Sequence, residues 1–448
     1  MQWSQLLAAD RLGASKPGRP DPARSPFQVD SDRIVFSSAF RRLQDKTQVF
    51  PLADNDYVRT RLTHSLEVAS VGRSLGARVG AALVERHDLG RHGLHASDFG
   101  AVVQSAALAH DLGNPPYGHS GEDSISHWFR TSKVAAPFRK RLARPKASDF
   151  EKFEGNAQGF RIITRLQMPD NPGLRLTCAT LGAFSKYPRA STCKTDGHAG
   201  ASVKKFGFFR SELPFFAEVA ERCGLPQRGK DCWTRHPLAF LVEAADDICY
   251  RLVDFEDGFR LGHLGYAEVF ESFLKVTGEP KDRERAERVH EQKNRISFLR
   301  AQAIGAAVAQ TATAFLDREK ALLAGKFDEP LLDHIPATDE LQRIKRRSVE
   351  TIYNTPRGVM IEVAGHEIIG HLLDSISAAV EDIAEHGTAA SPRSKKFALL
   401  IPDQFLGSGG VPDRDPYLRL LKITDFVSGM TDNYAVKFSQ GIRQPPLP

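Results

Sequence analysis

The chain has 448 residues, of which 41% are hydrophobic, and a formal net charge of +6. This is enough apolar material for a large core in one domain or two. No apolar run is long enough to span a membrane, and the N-terminus lacks the pattern of a secretory signal, so we expect a cytoplasmic protein without membrane contact. The charge is too mild to decide between solvated helix faces and contacts with the phosphates of nucleotides or single-stranded DNA.

Helical periodicity dominates the chain. It predicts helices over residues 58–82, 97–112, 154–166, 237–259, 282–320, 341–352, 359–385 and 418–438. Short strands are predicted only near 183–187 and 206–209. The fold class that follows is all-α, with long loops and few short strands. We divide the chain into a flexible N-terminal arm (1–30), a central core (31–275) and a C-terminal helical region packed on that core (276–448).

His110 and Asp111 form the most informative pair in the sequence. They lie where a helix rich in small residues meets the stop signal Gly113-Asn114-Pro115-Pro116. An imidazole beside a carboxylate suits a divalent metal of intermediate softness. Taken alone, such a pair is more often a helix cap or an ion pair. His64, near the start of another predicted helix, offers a second imidazole, so the three residues together predict a metal site.

An acid on a separate helix would complete this set. Four polar residues of the helix 237–259 recur at intervals of four, four and three and therefore share one face: Asp246, Tyr250, Asp254 and Asp257. Asp247 competes with Asp246 as a ligand, but it lies four residues before Arg251 and so has an ion-pair partner on its own helix. We therefore prefer Asp246. A mixed set of nitrogen and oxygen donors suits Mn²⁺, Mg²⁺ or Fe²⁺ better than a thiolate-type zinc site does.

His119 is the candidate for proton transfer. The prolines and glycines of 115–121 predict a rigid turn that holds His119 near the metal, and Glu122 is placed to orient its ring. Without the metal set, a loop histidine bonded to a neighbouring acid would explain the same residues equally well. Arg61, three residues before His64, could bind a phosphate with two parallel hydrogen bonds.

One further motif is a decoy. The segment 366–371 resembles the HExxH motif of zinc proteases, but its second histidine, His371, follows His366 by five residues rather than four. Five residues rotate a side chain by roughly 140° around a helix, too far for both rings to share one ion. We therefore interpret both histidines as structural.

Seven motifs resemble those of the HD-domain deoxynucleoside triphosphate triphosphohydrolases, the dGTPase family, and follow one another in the family's order. They span residues 41–52, 61–67, 109–119, 153–158, 185–188, 243–250 and 428–432. Because they are spread over most of the chain, the resemblance is far more specific than any single motif.

The resemblance implies an HD-domain helical core with additional helices. It implies hydrolysis of a dNTP, either dGTP or a broader range, to the deoxynucleoside and tripolyphosphate by attack at the α-phosphorus. The implied metal is Mn²⁺ or Mg²⁺, with Fe²⁺, Co²⁺ or Ni²⁺ as further options. Its implied ligands are His64, His110, Asp111 and Asp246. His119, supported by Glu122, would be the catalytic histidine.

The resemblance also implies contacts with the substrate. The implied positions are those that touch the triphosphate (Arg61, Lys186, Tyr187), the deoxyribose (Tyr250, Asp254) and the base (Gln48, Val49). The family often assembles as homo-tetramers or homo-hexamers, and some members respond to nucleotides or single-stranded DNA, so we expect a homo-oligomer and allow for such an effector. Segments 130–149 and 189–204 match no family motif, which leaves base preference and effector sites open.

Two other functions stay open at this point. One is a different HD-type phosphohydrolase, such as a nucleotidase or phosphodiesterase, which analysis of the phosphate product would distinguish. The other is a non-catalytic regulator that binds nucleotides or single-stranded DNA. The pairing of His119 with Glu122 argues against the regulator, because binding alone needs no proton-transfer pair.

Overall fold

The computed structural model describes residues 1–13, 21, 23–48, 59–167, 173–193 and 200–443. Helices make up most of these residues, and the strands among them, β1 (Gln227–Gly229) and β2 (Cys232–Trp233), form one short antiparallel hairpin. The predicted all-α fold is confirmed. Within the same ranges, no helix is both long enough and apolar enough to cross a lipid bilayer.

The helices are numbered here in chain order. The first half of the chain contains α1 (Trp3–Leu6), α2 (Pro26–Val35), α3 (Ser38–Arg42), α4 (Arg61–Arg86), α5 (Ala96–Ala109), α6 (His119–Thr131), α7 (Ala136–Arg141), α8 (Arg144–Glu151), α9 (Gly155–Arg161), α10 (Cys178–Phe184) and α11 (Leu213–Arg222). The second half contains α12 (Pro237–Arg260), α13 (Tyr266–Thr277), α14 (Lys281–Glu287), α15 (Gln292–Asp317), α16 (Glu319–Leu323), α17 (Thr338–Ser348), α18 (Pro356–His386), α19 (Pro392–Ala398), α20 (Asp403–Leu406), α21 (Pro416–Ser428) and α22 (Asp432–Arg443). Short 3₁₀ or π turns lie at Leu43–Asp45, Leu89–His92, Ile162–Leu166, Ala201–Val203, Leu331–His334, Val349–Tyr353, Gly387–Ala389 and Ser408–Gly410.

The strands predicted near 183–187 and 206–209 are wrong in position. Aromatic residues favour strands in such segments, but Thr177 caps α10 by accepting a hydrogen bond from Thr180 N, and the helix continues through Phe184. Residues 206–209 are irregular apart from one isolated bridge. The hairpin forms at β1 and β2 instead, where Asp231 takes up a positive φ of 61° in the turn.

The single helix predicted over 282–320 is divided into α14, α15 and the start of α16. After α14, the Arg295 side chain donates hydrogen bonds to the carbonyl oxygens of Glu287 at 3.3 Å and Val289 at 2.7 Å. These bonds satisfy carbonyl groups that a helix end leaves unpaired. The break contains neither glycine nor proline, so the local sequence pattern did not locate it.

Buried apolar side chains form two cores. The larger joins α1–α5 with α9–α17, and Trp3 packs in it while donating a hydrogen bond from Nε1 to Glu319 Oε1 at 2.9 Å. The smaller joins α6–α8 with α18–α22 around side chains such as Phe129, Phe150 and Tyr417. The domain boundaries placed after residues 30 and 275 stay predictions.

The close packing of α4 against α5 positions the site. A Cβ atom on Gly76 of α4 would lie 2.6 Å from the carbonyl oxygen of Phe99 on α5, so only a residue without a side chain permits this approach. Gly72 meets Val103, which lies further along α5, so the two helices run antiparallel. The start of α4 and the end of α5 therefore lie side by side.

Candidate active site and metal centre

Three predicted metal ligands lie together where α4, α5 and α12 meet. One donor atom each from His64, His110 and Asp246 lies within 4.8 Å of the other two. Asp246 Oδ1 is 3.2 Å from His64 Nε2 and 3.5 Å from His110 Nε2. Across the part of the chain that the structure describes, this is the one group of three such side chains close enough to hold an ion.

Local contacts fix the two histidines. Thr60 is the N-cap of α4, because its hydroxyl accepts a hydrogen bond from Thr63 N while the Thr63 hydroxyl accepts one from Thr60 N. His64 follows in the first turns of this helix. His110 directly follows α5, and its Nδ1 lies 2.7 Å from the carbonyl oxygen of Ala107. A proton on Nδ1 makes this hydrogen bond, so Nε2 is the ring nitrogen that faces Asp246 and would bind a metal after it loses its own proton.

Asp111 adjoins this group and is oriented by two donors. Its Oδ1 lies 3.4 Å from His110 Nε2 and accepts a hydrogen bond from Asn114 Nδ2 at 2.6 Å. Its Oδ2 accepts one from Arg61 at 2.8 Å. Burial opposes ionisation of Asp111, but the charges of His110 and Arg61 hold the pKa of its carboxyl well below the ordinary value. Asp111 is therefore an ionised oxygen donor beside the three-residue group.

Asp246 is ionised for a similar reason. Lys186 Nζ donates a hydrogen bond to Asp246 Oδ2 at 2.8 Å. Burial again works against the charge, but Lys186 and then His110 hold the pKa of Asp246 well below its ordinary value. Two imidazole nitrogens beside ionised carboxylates make a donor set that suits a divalent cation of intermediate softness. The residues present therefore fit the metal that the sequence implied.

Asp247, the competing acid on α12, is engaged elsewhere. Its Oδ2 accepts a hydrogen bond from Arg251 at 2.9 Å, so the predicted ion pair within the helix is confirmed. Burial raises the pKa of Asp247 to about 6 despite this partner. A carboxyl that ionises less readily and is already paired is the poorer metal ligand.

His119 is the first residue of α6 and is joined to Glu122. The ring Nδ1 lies 2.7 Å from Glu122 Oε2, and the other carboxylate oxygen of Glu122 accepts a hydrogen bond from Gly155 N at 2.6 Å. The hydrogen bond to Glu122 is the main reason that the pKa of His119 is raised. Because the His119 side chain is 80% exposed, its Nε2 remains accessible to a ligand.

A cavity of about 730 Å³ joins these groups. Its walls contain most of the predicted site residues: Gln48, Arg61, His64, His110, Asp111, His119, Lys186, Tyr187, Asp246 and Tyr250. Sequence reasoning assigned no role to other lining residues, among them Asn156, Lys204, Lys205 and Tyr353, whereas Lys345 belongs to a basic cluster for which a phosphate contact was one interpretation. The added lysines make the wall more cationic, which favours a polyanionic ligand.

Lys205 connects the histidine pair to the rest of the wall. Its Nζ lies 3.1 Å from Glu154 and 3.6 Å from Glu122 Oε2. Although burial disfavours its charge, these two acids raise the pKa of Lys205. Lys204 is the last residue of the segment 189–204, which matched no motif, and Lys205 follows it. This pair of adjacent lysines was the available sequence signal for a phosphate contact.

Of the two residues implied to contact the deoxyribose, Tyr250 and Asp254, only Tyr250 lines the cavity. Tyr250 lines the wall, with its ring stacked on Tyr353 at a centroid distance of 5.1 Å. Asp254 is absent from the lining residues within the described ranges, since it is 3% exposed and accepts a hydrogen bond from the Tyr353 hydroxyl at 2.9 Å. Burial raises the pKa of Asp254 well above its ordinary value. No motif in the sequence had marked Tyr353.

The predicted base contacts are described in part. Gln48 lines the cavity, and its Oε1 is buried without a hydrogen-bond partner among the described residues. A buried acceptor without a partner is destabilising, so a ligand that donates a hydrogen bond there would be favoured. Val49 lies outside the described residues.

The two histidines of the decoy motif have other contacts. His371 Nδ1 lies 3.2 Å from the hydroxyl of Ser439, and the His366 ring lies 5.1 Å from that of His127. Neither belongs to the donor group of the metal centre. These contacts agree with the structural interpretation.

Comparisons with known proteins agree with the geometry. The family profile described as the HD domain matches residues 61–163. A deoxyguanosinetriphosphate triphosphohydrolase-like protein of Synechocystis is 43% identical over 451 residues, which is 99% of each chain. A protein of the same description from Pseudomonas aeruginosa is 41% identical over 450 residues, 98% of each chain. A deoxyguanosinetriphosphate triphosphohydrolase of Salmonella paratyphi A is 31% identical over 475 residues, covering 91% of this chain and 92% of its own.

Proposed function

Because the chain belongs to the deoxyguanosinetriphosphate triphosphohydrolase-like family of HD-domain proteins, we propose that it is a metal-dependent hydrolase of deoxynucleoside triphosphates. The substrate would be dGTP or a broader range of dNTPs, and the products the deoxynucleoside and tripolyphosphate. One observation carries the proposal: His119, bonded to Glu122, lines the same cavity as the donor group of His64, His110 and Asp246. A protein that only binds nucleotides needs no such proton-transfer pair.

The proposed metal site uses four residues: His64, His110, Asp111 and Asp246. Mn²⁺ or Mg²⁺ suits this set, and Fe²⁺, Co²⁺ or Ni²⁺ is also compatible with it. When bound, such an ion supplies Lewis-acid stabilisation of the charge on phosphoryl oxygens.

Side chains of the cavity wall would bind and orient the triphosphate. Arg61 lies against Asp111, Lys186 against Asp246, and Lys205 against Glu122, so cations stand beside each part of the site. Tyr187 follows Lys186 and offers a hydroxyl. Holding the phosphates in one orientation means that much of the loss of translational and rotational entropy occurs on binding, so that it does not add to the barrier of the chemical step.

His119 would deliver the proton that the leaving group needs. Hydrolysis breaks the bond between the α-phosphorus and O5′, and the oxygen of water becomes bonded to phosphorus. One proton of that water passes to solvent, while O5′ takes up a proton and leaves as the hydroxyl of the deoxynucleoside. Glu122 raises the pKa of His119, which favours the protonated ring, and the Nε2 of that ring can deliver a proton to O5′.

The sugar and the base would occupy the remaining wall. Tyr250 would lie against the deoxyribose, while Gln48 and Val49 would contact the base. For Asp254 to accept a hydrogen bond from the 3′-hydroxyl, its carboxylate, which is buried and bonded to Tyr353 through Oδ2, has to become accessible from the cavity. The oligomeric state, an effector and the cytoplasmic location stay predictions.

Product analysis tests this proposal. The purified protein is incubated with each dNTP and Mn²⁺ or Mg²⁺, with and without EDTA, and the products are separated by ion-exchange chromatography. We expect the deoxynucleoside and tripolyphosphate in equal amounts, loss of activity in His119→Ala, and retention in His371→Ala, the matched histidine outside the cavity. Orthophosphate or pyrophosphate as the product would indicate a nucleotidase or phosphodiesterase. Binding without turnover would indicate a regulator.

A further inference from the structure

The turn that precedes His119 has an unusual backbone. Tyr117 and Gly118 both have positive φ, 62° and 59°. An aromatic residue is disfavoured in this left-handed region, and such a conformation persists only where surrounding contacts hold it. One such contact is the hydrogen bond that Tyr117 N donates to Asp432 Oδ1 at 3.1 Å. The position of the candidate catalytic histidine thus depends on a residue at the start of α22.

The other oxygen of Asp432 holds a second segment of the site. Asp432 Oδ2 accepts a hydrogen bond from Thr47 N at 3.0 Å, and Thr47 immediately precedes Gln48. Lys46 strengthens this junction, since its buried Nζ donates a hydrogen bond to the carbonyl oxygen of Ser428 at 3.0 Å. One carboxylate thus joins the segment before the base contact to the turn before the proton donor.

We infer that Asp432 is a positioning residue, whose carboxylate fixes the positions of His119 and Gln48 relative to each other. This inference rests on the proposed function. Asp432 is 5% exposed, so its removal would leave two backbone N–H groups, those of Thr47 and Tyr117, without a partner in a buried place. Its loss should therefore alter proton delivery and base selection together.

Two variants of Asp432 should impair catalysis and base selection to different degrees. Asp432→Ala removes both acceptor oxygens, whereas Asp432→Asn keeps one. We expect Asp432→Ala to lower kcat on the order of 10²-fold, the effect of displacing a catalytic group by about 1 Å, and to change the ratio of kcat/KM between dGTP and dATP. Asp432→Asn should fall between this variant and wild type. The metal content should stay at the wild-type level, because Asp432 binds backbone amides.

Glu381 provides a matched control within the same core. It is a buried acid on α18 whose Oε1 accepts a hydrogen bond from Arg419 Nε at 2.7 Å, which joins α18 to α21. We expect Glu381→Ala to lower the melting temperature without changing the ratio between dGTP and dATP. Amide hydrogen exchange adds a measurement that needs no turnover: exchange at Thr47 and Tyr117 should accelerate in Asp432→Ala and not in Glu381→Ala.

Several results would overturn the inference. It fails if Asp432→Ala keeps the wild-type kcat and the wild-type ratio between dGTP and dATP. It also fails if Asp432→Ala lowers kcat only as much as Glu381→Ala does for the same decrease in melting temperature. Unchanged exchange at Thr47 and Tyr117 also overturns it. If the wild-type protein hydrolyses no dNTP, the proposed function fails. The exchange measurement still decides whether Asp432 holds the turn, because it does not depend on turnover.

Discussion

His64 and His110 reach the candidate metal centre from two helix ends that backbone contacts hold in place. The capping box at Thr60 fixes the start of α4, and the carbonyl oxygen of Ala107 fixes the His110 ring at the end of α5. Asp246 meets both rings from α12. Because each donor is held by its own helix, the packing of the three helices fixes the positions of the donors relative to one another.

The choice between Asp246 and Asp247 can be tested by matched substitutions. We expect Asp246→Asn to lose bound Mn²⁺ and several orders of magnitude in turnover, because stabilisation of phosphoryl charge is lost with the ion. Asp247→Asn should keep the metal, since Asp247 pairs with Arg251. Metal analysis of the two dialysed variants measures this. Full occupancy in Asp246→Asn would contradict the ligand assignment.

The proposed role of His119 predicts a pH dependence. A proton donor works while it is protonated, so the rate should be full below the pKa of His119 and fall as pH rises through it. The Glu122 carboxylate raises that pKa, so Glu122→Gln should lower it and move the falling limb of kcat/KM to lower pH. His119→Ala should lose roughly 10²–10⁴ in rate. If the falling limb of the kcat/KM profile does not move in Glu122→Gln, the proton donor is a group other than His119.

Among the helices, α12 would set the distance between the proposed metal and the sugar of the substrate. A four-residue step rises about 6 Å along one face of a helix. Tyr250 therefore follows Asp246 by roughly the distance from a bound phosphate to its sugar, and its ring stacks on Tyr353 at the cavity wall.

This spacing predicts sugar discrimination. We expect Tyr250→Ala to raise kcat/KM for GTP relative to dGTP, because the ring no longer excludes a 2′-hydroxyl. Asp254→Ala should weaken the preference for dGTP over 2′,3′-dideoxy-GTP. Tyr266→Ala, an aromatic residue packed against Phe270 on α13, is the control and should leave both ratios unchanged. Unchanged ratios in a folded Tyr250→Ala variant would place the sugar pocket on another element.

The start of α12 carries a buried histidine that links stability to pH. Burial lowers the pKa of His236 from 6.5 to about 4. Its Nδ1 accepts a hydrogen bond from Leu238 N at 3.1 Å, and its Nε2 lies 3.0 Å from the carbonyl oxygen of Leu6. At pH values between 6.5 and about 4, His236 binds a proton in the unfolded chain but not in the folded chain. The free energy of unfolding should therefore fall as pH drops from 6.5 to 4, by on the order of 3 kcal/mol.

His236→Gln removes this titration. The melting temperature of the wild type should exceed that of the variant at pH 7, and the gap should narrow by pH 5, because only the wild type has the titrating ring. Thermal scans of both proteins at the two pH values measure the gap. A gap that stays constant or widens would show that the ring is protonated in the folded protein.

Patterns confined to one helix predicted much of the site. Four-residue spacing placed Asp246 and Tyr250 on one face and assigned Asp247 to Arg251, and the structure contains both arrangements. Contacts between distant segments left no such pattern. Tyr353 and Asp432 reach the cavity because helices far apart in sequence pack together, and periodicity along a chain does not report which turn meets which loop.

At the scale of the molecule, the cavity lies between the two apolar cores. The helices α4, α5 and α12 of the larger core carry the metal donors, whereas His119 and Asp432 begin helices of the smaller core. Buried Arg161 on α9 helps to hold these parts together, since it pairs with Glu212 at 2.6 Å and with Asp425 on α21 at 2.7 Å. The proposed chemistry therefore depends on both cores keeping one relative position.

In the proposed reaction, water attacks the α-phosphorus and O5′ leaves as the hydroxyl of the deoxynucleoside. Hydrolysis of dGTP in ¹⁸O-labelled water, followed by mass spectrometry of both products, tests it most directly. We expect a single labelled oxygen in tripolyphosphate and no label in deoxyguanosine. Label in the 5′-hydroxyl of deoxyguanosine, or in orthophosphate, pyrophosphate or a deoxynucleotide, would contradict the claim.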